Sequence, residues 1–590
     1  MPSIIIREKD LTSAGNLEVT TNAVYIPGYA NVGPVNKPIL CNTLEEFQQV
    51  FGTEPYKFRH DQEWPAQFHT NAIPTDKFYH EGEYEKSYIM AVELLRLGLP
   101  VLYERCTINS AKWTATKKVE IATAEGNKQD GLKVVATSSG YASSFIKFTI
   151  KKDEYILDDN TNGTYFIMTV SRSANADYGV TATGDVETKF TFNKKLAALY
   201  PSCILAQPGK NIVDNSGLVE LQFKSDCKLN ADSSVNDYLD EQGKLTVYKL
   251  ALDPANDVNA TDGSLDDEFK VSDMYTHLST NGANAESQEI QGFDRLLDNG
   301  EYVIKFITSG AYPVYEYNDS AIAKVMIETA ANKGNCTALI DHTPNNTRSL
   351  QALNETSVYY TIANSFGKVI RKNKLGEDAH TYAAMFTPYG IYECGSIAED
   401  VMLPASFGYL AAYAVQIQQY NGWGATAGCV RGLVPNLKSL CQDLTNAIAD
   451  SYQPRNGVAI NAITNIKPYG LTIWGARTLK DNSKKGDLTA TSFLNIRHIT
   501  NDVKRTTWVS AKTLTYEQNN DMLWIKFKMN ITPLLNQMIS GSAISAYEFK
   551  RQATTKKATV NAVIRLYAIE PVEDWDITIE LADSSTEIIG

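Results

Sequence analysis

RNGVAINAITNIKPYGLTIWGARTL, residues 455–479, decides how this chain is read. Two apolar runs, Val458-Ala459-Ile460 and Leu471-Thr472-Ile473-Trp474, flank a loop that holds Pro468 and Gly470. Short β-prone runs bounded by Gly and Pro predict paired strands. Gly457 and Gly475 suit backbone turns. Arg477, just past the second run, suits a tether to a neighbouring carboxylate or carbonyl. Trp474 is expected to be buried in the surrounding core, so that truncation to alanine costs ~3–5 kcal/mol. Arg477→Ala is expected to cost less in the monomer and more in assembly. Nothing in the stretch looks catalytic.

Downstream, LNIRHI (494–499) precedes an apolar helix starting at residues 519–521. Trp524, Phe527, Ile531, Leu534, Leu535 and Met538 make one stripe on it, Pro533 should kink or restart it, and Gly541 should end it. TVNAVIRLYAIEP (559–571) then alternates strictly, as a strand does. A second alternation follows Pro571 and Glu573-Asp574: Ile577, Ile579 and Leu581 against Thr578 and Glu580. At the other end, Ile4, Ile5 and Ile6 form a short β-prone run cut off by polar residues. A lone strand needs a partner sheet, either in its own domain or in a neighbouring subunit.

At 590 residues the chain exceeds one core, and three or more domains are expected. An apolar fraction of 43% and a charged fraction of 21% describe an ordinary folded protein. Lys and Arg total 55 against 68 Asp and Glu, a net charge of −13 with no basic block, which argues against direct nucleic-acid binding. No apolar run approaches the length of a membrane span, so no membrane insertion is expected. The N-terminus lacks the basic and apolar regions of a signal peptide. Eight cysteines lie scattered with no CxxC pair, which fits reduced, packed thiols and gives no zinc-type spacing.

Residues 23–56 read as strand, Gly/Pro loop, strand and short helix. Thr43 and Glu46 form a capping box there; Phe47, Val50 and Phe51 supply the buried face, and Gly52 is the stop. Glu85 to Leu97 reads as a helix feeding a strand from Pro100 to Tyr103. From 107 to 290 the composition turns to Thr, Ser, Asn and Asp, and the runs LKVVAT, FIKFTI, TYFIMTV and KLTVYKL recur, as in one or two all-β domains. Asp158, Asn160, Asn162 and Gly163 start like a calcium loop, but Thr169 stands where a bidentate Glu is required, so Asn162-Gly163 reads as a hairpin turn. The acidic stretch 253–268 reads as a solvated loop. Residues 302–342 form an α/β unit: YVIKFIT as strand, a helix capped by Asp319 or Ser320 and ended by Gly334, then CTALID as a parallel strand. Asp341 and His342 stand at its carboxyl end, without a paired acid, a second His or GxSxG to make them catalytic. A further helix runs from about Ala405, with Phe407, Leu410, Ala411, Ala414 and Ile417 on one face. Gly422-Trp423-Gly424 misses dinucleotide spacing.

Several blocks together resemble the contractile phage tail sheath family. Gly457, Asn461, Ile473, Trp474, Gly475, Ala476, Arg477, Thr478 and Leu479 match its C-terminal block, which precedes a Trp-bearing helix (here with Trp524) and a terminal strand arm. Gly28-Tyr29-Ala30, Gly33-Pro34-Val35-Asn36 and Phe51-Gly52 match its N-terminal order. Thr387-Pro388-Tyr389, Leu403-Pro404-Ala405-Ser406, Gly408-Tyr409 and Gly422-Trp423 answer to parts of a middle block, with Tyr389 where Trp is usual. The resemblance is strong over 320–581, ordered over 20–106, and faint between.

The fold class that follows is a multidomain α+β or α/β protein, with a mixed α/β sheath core, one or more inserted all-β domains, and extended strand arms at both ends. The expected division is an N-terminal arm (1–22), the first part of the α/β domain (23–106), the insertion (107–295), the second part of the α/β domain (296–450), a C-terminal inner domain (451–571) and a C-terminal arm (572–590). The insertion is expected to be dispensable for folding of the scaffold. The resemblance implies a structural subunit with no active site, cofactor or metal. It implies self-assembly into hexameric rings stacked helically around a tail tube protein, with baseplate and tail terminator proteins as further partners. It implies assembly in the host cytoplasm into a virion whose contraction delivers the genome, and strand arms (Ile4, Ile5, Ile6; Ile577, Ile579, Leu581) that join neighbouring subunits. A bacteriocin-like or secretion-type sheath fits equally, whereas a hydrolase centred on Asp341-His342 or a surface adhesin is the remote alternative.

Overall fold

The computed structural model describes residues 22–573, except 59, 64–76, 107–114, 123–127, 139, 157–161, 176–179, 181, 226–228, 230, 232, 236–237, 241, 253–270, 281, 284–289, 299–301, 313–320, 342–376, 483–487 and 554–557. His342, Asp319, Ser320, the acidic loop and both proposed arm strands (Ile4 to Ile6, and Ile577 to Leu581) lie outside the described residues.

An eight-stranded sheet organises the scaffold. Its order is Ile39–Cys41, Val101–Arg105, Val24–Gly28, Phe306–Ile307, Thr337–Asp341, Ala383–Thr387, Asn461–Ile466 and Gly470–Trp474. The six inner strands run parallel, and an antiparallel strand closes each edge. Inner strands such as Val101–Arg105, Thr337–Asp341 and Ala383–Thr387 are buried at every position, as parallel strands covered on both faces must be. One face is covered by the helices Val271–Ser279 and Ala321–Lys333, burying Met274, Leu278, Ile322, Met326 and Ile327. The other is covered by the helices Leu44–Phe51, Lys86–Arg96 and Ala405–Gln419. The last of these is buried on every side from Ala405 to Ala414 rather than along one stripe. No helix among the described residues is long and apolar enough to cross a membrane.

Local expectations hold in most places. Thr43 Oγ1 accepts from Glu46 N at 3.2 Å, while the Glu46 carboxylate reaches back to Asn42 N at 2.7 Å, one residue earlier than a capping box requires. Gly52 and Gly334 end their helices at φ of 90° and 73°. Others are corrected. YVIKFIT contributes only Phe306–Ile307 as strand, because Tyr302 to Ile304 approach the sheet without pairing. Asn162-Gly163 opens the strand Asn162–Arg172, with Asn162 opposite Ile156, so the pair is strand rather than turn. Pro533 does not break its helix, which runs from Asp521 to Ser540. LNIRHI begins a twenty-residue helix, Leu494–Thr513.

Between residues 115 and 252 a five-stranded and a six-stranded sheet share one core, in which Phe166, Phe190, Phe192 and Phe223 pack edge to face and offset and Phe148 stacks on Tyr248. Alternation fixes which side of a strand joins it. Ile146, Phe148 and Ile150 are buried, and Lys147 points to solvent.

Candidate functional site

The decisive stretch folds as a hairpin whose first strand starts at Asn461, not Val458. Val458, Ala459 and Ile460 are buried beneath it without being strand. Asn461 is fully buried, and its side chain satisfies three backbone groups. Nδ2 donates to Met385 O at 3.2 Å and Arg477 O at 2.9 Å, and Oδ1 accepts from Arg477 N at 2.9 Å. One amide therefore locks the strand Ala383–Thr387, the hairpin and the chain leaving it. Gly475 turns that chain at φ 125°, and a Cβ there would sit 2.2 Å from Gln453 Nε2, so only glycine fits. Gly457 is likewise left-handed, at 135°, and its carbonyl accepts from Asn482 N at 3.2 Å.

Arg477 finds both partner types expected of it. Its Nε donates to both Glu573 carboxylate oxygens at 3.1 Å, Nη2 pairs with the same carboxylate, and Nη1 donates to Pro454 O at 2.7 Å and Gln453 O at 3.3 Å. The guanidinium is 3% exposed and Glu573 26%. A bidentate fork of this kind is the strong form of an ion pair. It holds the chain at residue 573, next to the segment 574–590. Trp474 corrects the expectation of burial. It is half-buried against the core, with Nε1 donating to Asp450 Oδ1 at 2.6 Å, because an edge strand leaves one flank open.

The helix Leu494–Thr513 carries the functional side chains that the sequence reading missed. It crosses the amino ends of the parallel strands, and many of its buried side chains are polar. Asn501 Nδ2 donates to Cys336 O and Thr337 Oγ1, both at 3.1 Å. Arg497 donates to Thr381 Oγ1 at 2.6 Å and lies over the Tyr382 ring. Asp502 pairs with Arg505, accepts from Lys305 Nζ at 3.3 Å and accepts from Trp423 Nε1 at 3.1 Å. Lys305 and Tyr413 both donate to Asn22 Oδ1, at 3.4 and 3.2 Å, so the first described residue is tied to the same hub. Burial pulls the Lys305 ammonium down while Asp502 opposes it. Burial also holds His498 well below the usual imidazole range, with Lys305, Arg505 and Arg497 adding to the effect, so it is a neutral ring packed on Phe306. The stretch 421–424 is a connector: Asn421 Nδ2 donates to Gly541 O at 3.2 Å, which docks the end of the helix Asp521–Ser540.

Asp341 stands fully buried at the carboxyl end of its strand, accepting from Ser406 N at 2.7 Å and Ser406 Oγ at 2.5 Å. Burial pushes its carboxyl up to about 7, with the Ser406 bonds opposing. The acid caps the first turn of the helix Ala405–Gln419 rather than facing a cleft.

Among the described residues the strands Ile544–Gln552 and Asn561–Ala568 pair only with each other, and the hairpin they form packs on the helix Asp521–Ser540. Trp524 is half-exposed, stacked on Phe527 at 5.6 Å rather than sunk in a core. It borders an open cavity of about 700 Å³ that Leu514, Phe527, Arg551 and Val560 also line.

No family model and no curated relative matches this chain. The solved structures to which it is similar include contractile sheath proteins. A sheath tail protein from Listeria innocua is 11% identical, with 93% of this chain and 95% of that one covered and a TM-score of 0.43. A sheath tail protein from Desulfitobacterium hafniense is 10% identical, with 96% and 100% covered and a TM-score of 0.39. The contracted PVC sheath complex of an extracellular contractile injection system is 17% identical, with 53% and 80% covered and a TM-score of 0.37.

Proposed function

We propose that this chain is the repeating structural subunit of a contractile sheath. In this reading it polymerises around a tail tube as stacked hexameric rings, meets a baseplate and a tail terminator at the ends, and contracts by rigid-body rearrangement of its subunits. Genome delivery by a phage tail is the first reading of the output, and a bacteriocin-like or secretion-type machine uses the same mechanics.

The observation that carries the proposal is the matched block itself. Asn461, Gly475 and Arg477 are spent on holding backbone and the Glu573 carboxylate, not on a cleft. Residues holding that geometry serve a scaffold that passes load to the segment beyond residue 573. The alternating segment 576–581 and the run Ile4–Ile6 are, in this proposal, strands that add to sheets of neighbouring subunits, using main-chain bonds for affinity and alternate side chains for register. The hairpin Ile544–Ala568, two-stranded and with a largely exposed surface, is the natural acceptor. The β-rich segment 115–252 is an outward-facing insertion in the same proposal.

Negative-stain microscopy of the purified full chain should show rings or tubes; dispersed particles at every concentration and salt would remove the sheath reading. Deleting 572–590, which also removes Glu573, should abolish tubes and lower monomer stability only by the lost Arg477 pair. Deleting 574–590 should abolish tubes with the monomer unchanged, and ordered tubes from that variant would refute the arm.

A further inference from the structure

Three side chains that no sequence pattern groups meet beside the central sheet. Glu104 is the penultimate residue of the strand Val101–Arg105, Cys106 follows that strand, and His277 comes from the helix Val271–Ser279. One ligand atom from each lies within 4.8 Å of the other two, and all three residues are buried. His277 Nε2 stands 3.5 Å from Glu104 Oε1 yet makes no hydrogen bond among the described residues. With no hydrogen bond among the described residues beyond this longer ion-pair contact, the imidazole nitrogen is available as a ligand.

The place in the fold points the same way. The parallel sheet reverses its order at the strand Val24–Gly28, which has Val101–Arg105 on one side and Phe306–Ile307 on the other. The carboxyl ends of strands at such a reversal are where α/β sheets open towards ligands. Glu104 and Cys106 lie at that end, where Cys106 N donates to Gly28 O at 2.9 Å. The carboxylate is already oriented: Tyr25 donates its hydroxyl to Oε2 at 2.6 Å, and the Arg295 guanidinium pairs with Oε1.

We propose that Glu104, Cys106 and His277 form a binding site for a divalent transition-metal ion of the zinc class. A sulfur, an imidazole nitrogen and a carboxylate oxygen are the donor set such borderline ions take. Bonds of about 2.0–2.3 Å at tetrahedral angles place ligand atoms about 3–4 Å apart, which the His277–Glu104 separation of 3.5 Å already meets. Three protein ligands leave the fourth position to a water. Tyr25 and Arg295 act as the outer partners that fix the carboxylate. On binding, the Cys106 S–H bond breaks, its electron pair forms the metal–sulfur bond, and the proton passes to solvent, with no change of oxidation state. The ion would join the strand that leads into the β-rich segment to the helix that follows it. The site stands independently of the sheath reading.

The test uses the full chain, stripped with a chelator and then titrated with Co²⁺ alone. A thiolate-to-cobalt charge-transfer band saturating at one ion per chain, bleached by Zn²⁺, together with a zinc-dependent rise in melting temperature, is the expected result. Cys106→Ser should remove the band, and His277→Gln should weaken cobalt binding at least tenfold. Cys429→Ser and Cys441→Ser, which change the half-buried and exposed thiols, should leave the band intact. No charge-transfer band in the folded wild-type chain, or a band that survives Cys106→Ser, overturns the proposal; neither outcome depends on a variant folding poorly.

Discussion

A single residue pair reverses the ranking that the local sequence suggests. Trp474 was expected to dominate its block, yet it is half-buried at a sheet edge, whereas Arg477 is enclosed with five polar contacts. Arg477→Ala leaves two carbonyls and a partly buried carboxylate without their donor, so it should cost ~2–4 kcal/mol, below the figure for a fully buried pair because Glu573 reaches solvent. Trp474→Ala should cost ~1–3 kcal/mol, below the range for truncating a fully buried aromatic side chain because the ring is half-buried. Denaturant unfolding of the two variants decides the order, and a larger loss for Trp474→Ala would refute it. Asp341 offers a pH test at the same scale. Its folded carboxyl holds a proton up to about 7, while an unfolded aspartate releases it near ~4. Between these values the native state binds more protons, so this residue's contribution to stability falls as pH rises. Asp341→Asn should flatten the slope of melting temperature between pH 5 and 7 relative to wild type. Glu85, pushed up to about 7 by burial, has the same sign and is common to both proteins, so the difference in slope isolates Asp341.

At the scale of elements, two helices depart from what their sequences suggest. The helix Asp521–Ser540 runs through Pro533 with that residue exposed, so one i→i−4 bond is missing on the solvent side. Pro533→Ala restores a donor without touching Ile531, Leu534, Leu535 or Met538, the buried residues of that helix. It should raise stability by ~1–3 kcal/mol in thermal or denaturant unfolding, and a loss would mean that the backbone there depends on proline. The helix Leu494–Thr513 escaped notice for a physical reason. Arg497, His498, Asn501, Asp502 and Arg505 are buried beside the short apolar stripe of Ile496, Ile499 and Val503, so the charged and amide side chains mask the period that marks a core helix. Polar groups are tolerated there because the amino ends of parallel strands expose unpaired backbone groups that side chains can meet, as Asn501 does at Cys336.

For the whole molecule, the expected dispensable span of 107–295 meets a structural objection. Val271, Met274, Leu278, Phe293 and Leu296 pack in the core beneath the central sheet, together with Tyr25 and Ile307. We therefore expect excision of 107–270 through a flexible linker to leave a cooperatively folding scaffold, and excision of 107–300 to abolish it. Arg105, whose guanidinium donates to Ser138 Oγ at 3.1 Å and Gly33 O at 3.0 Å, is the joint that the shorter excision loosens. Soluble expression and a single melting transition distinguish the two variants, and equal behaviour would place the boundary elsewhere.

The sequence by itself determined the elements whose signals are local. The alternation of Ile146 to Ile150, the cap at Thr43, the left-handed Gly457 and Gly475, and the α/β unit around Ala321–Lys333 all rest on contacts between residues near in the chain. The Arg477 tether was legible as a need for a partner, because a guanidinium beyond a strand end must be met. Its identity was not, since Glu573 lies 96 positions away. Only the tertiary structure decided that Trp474 sits at an edge, that a polar helix caps the strands, and that Glu104, Cys106 and His277 converge. Each depends on which strand lies beside which, and strand order follows from how distant segments pack rather than from any one segment's pattern.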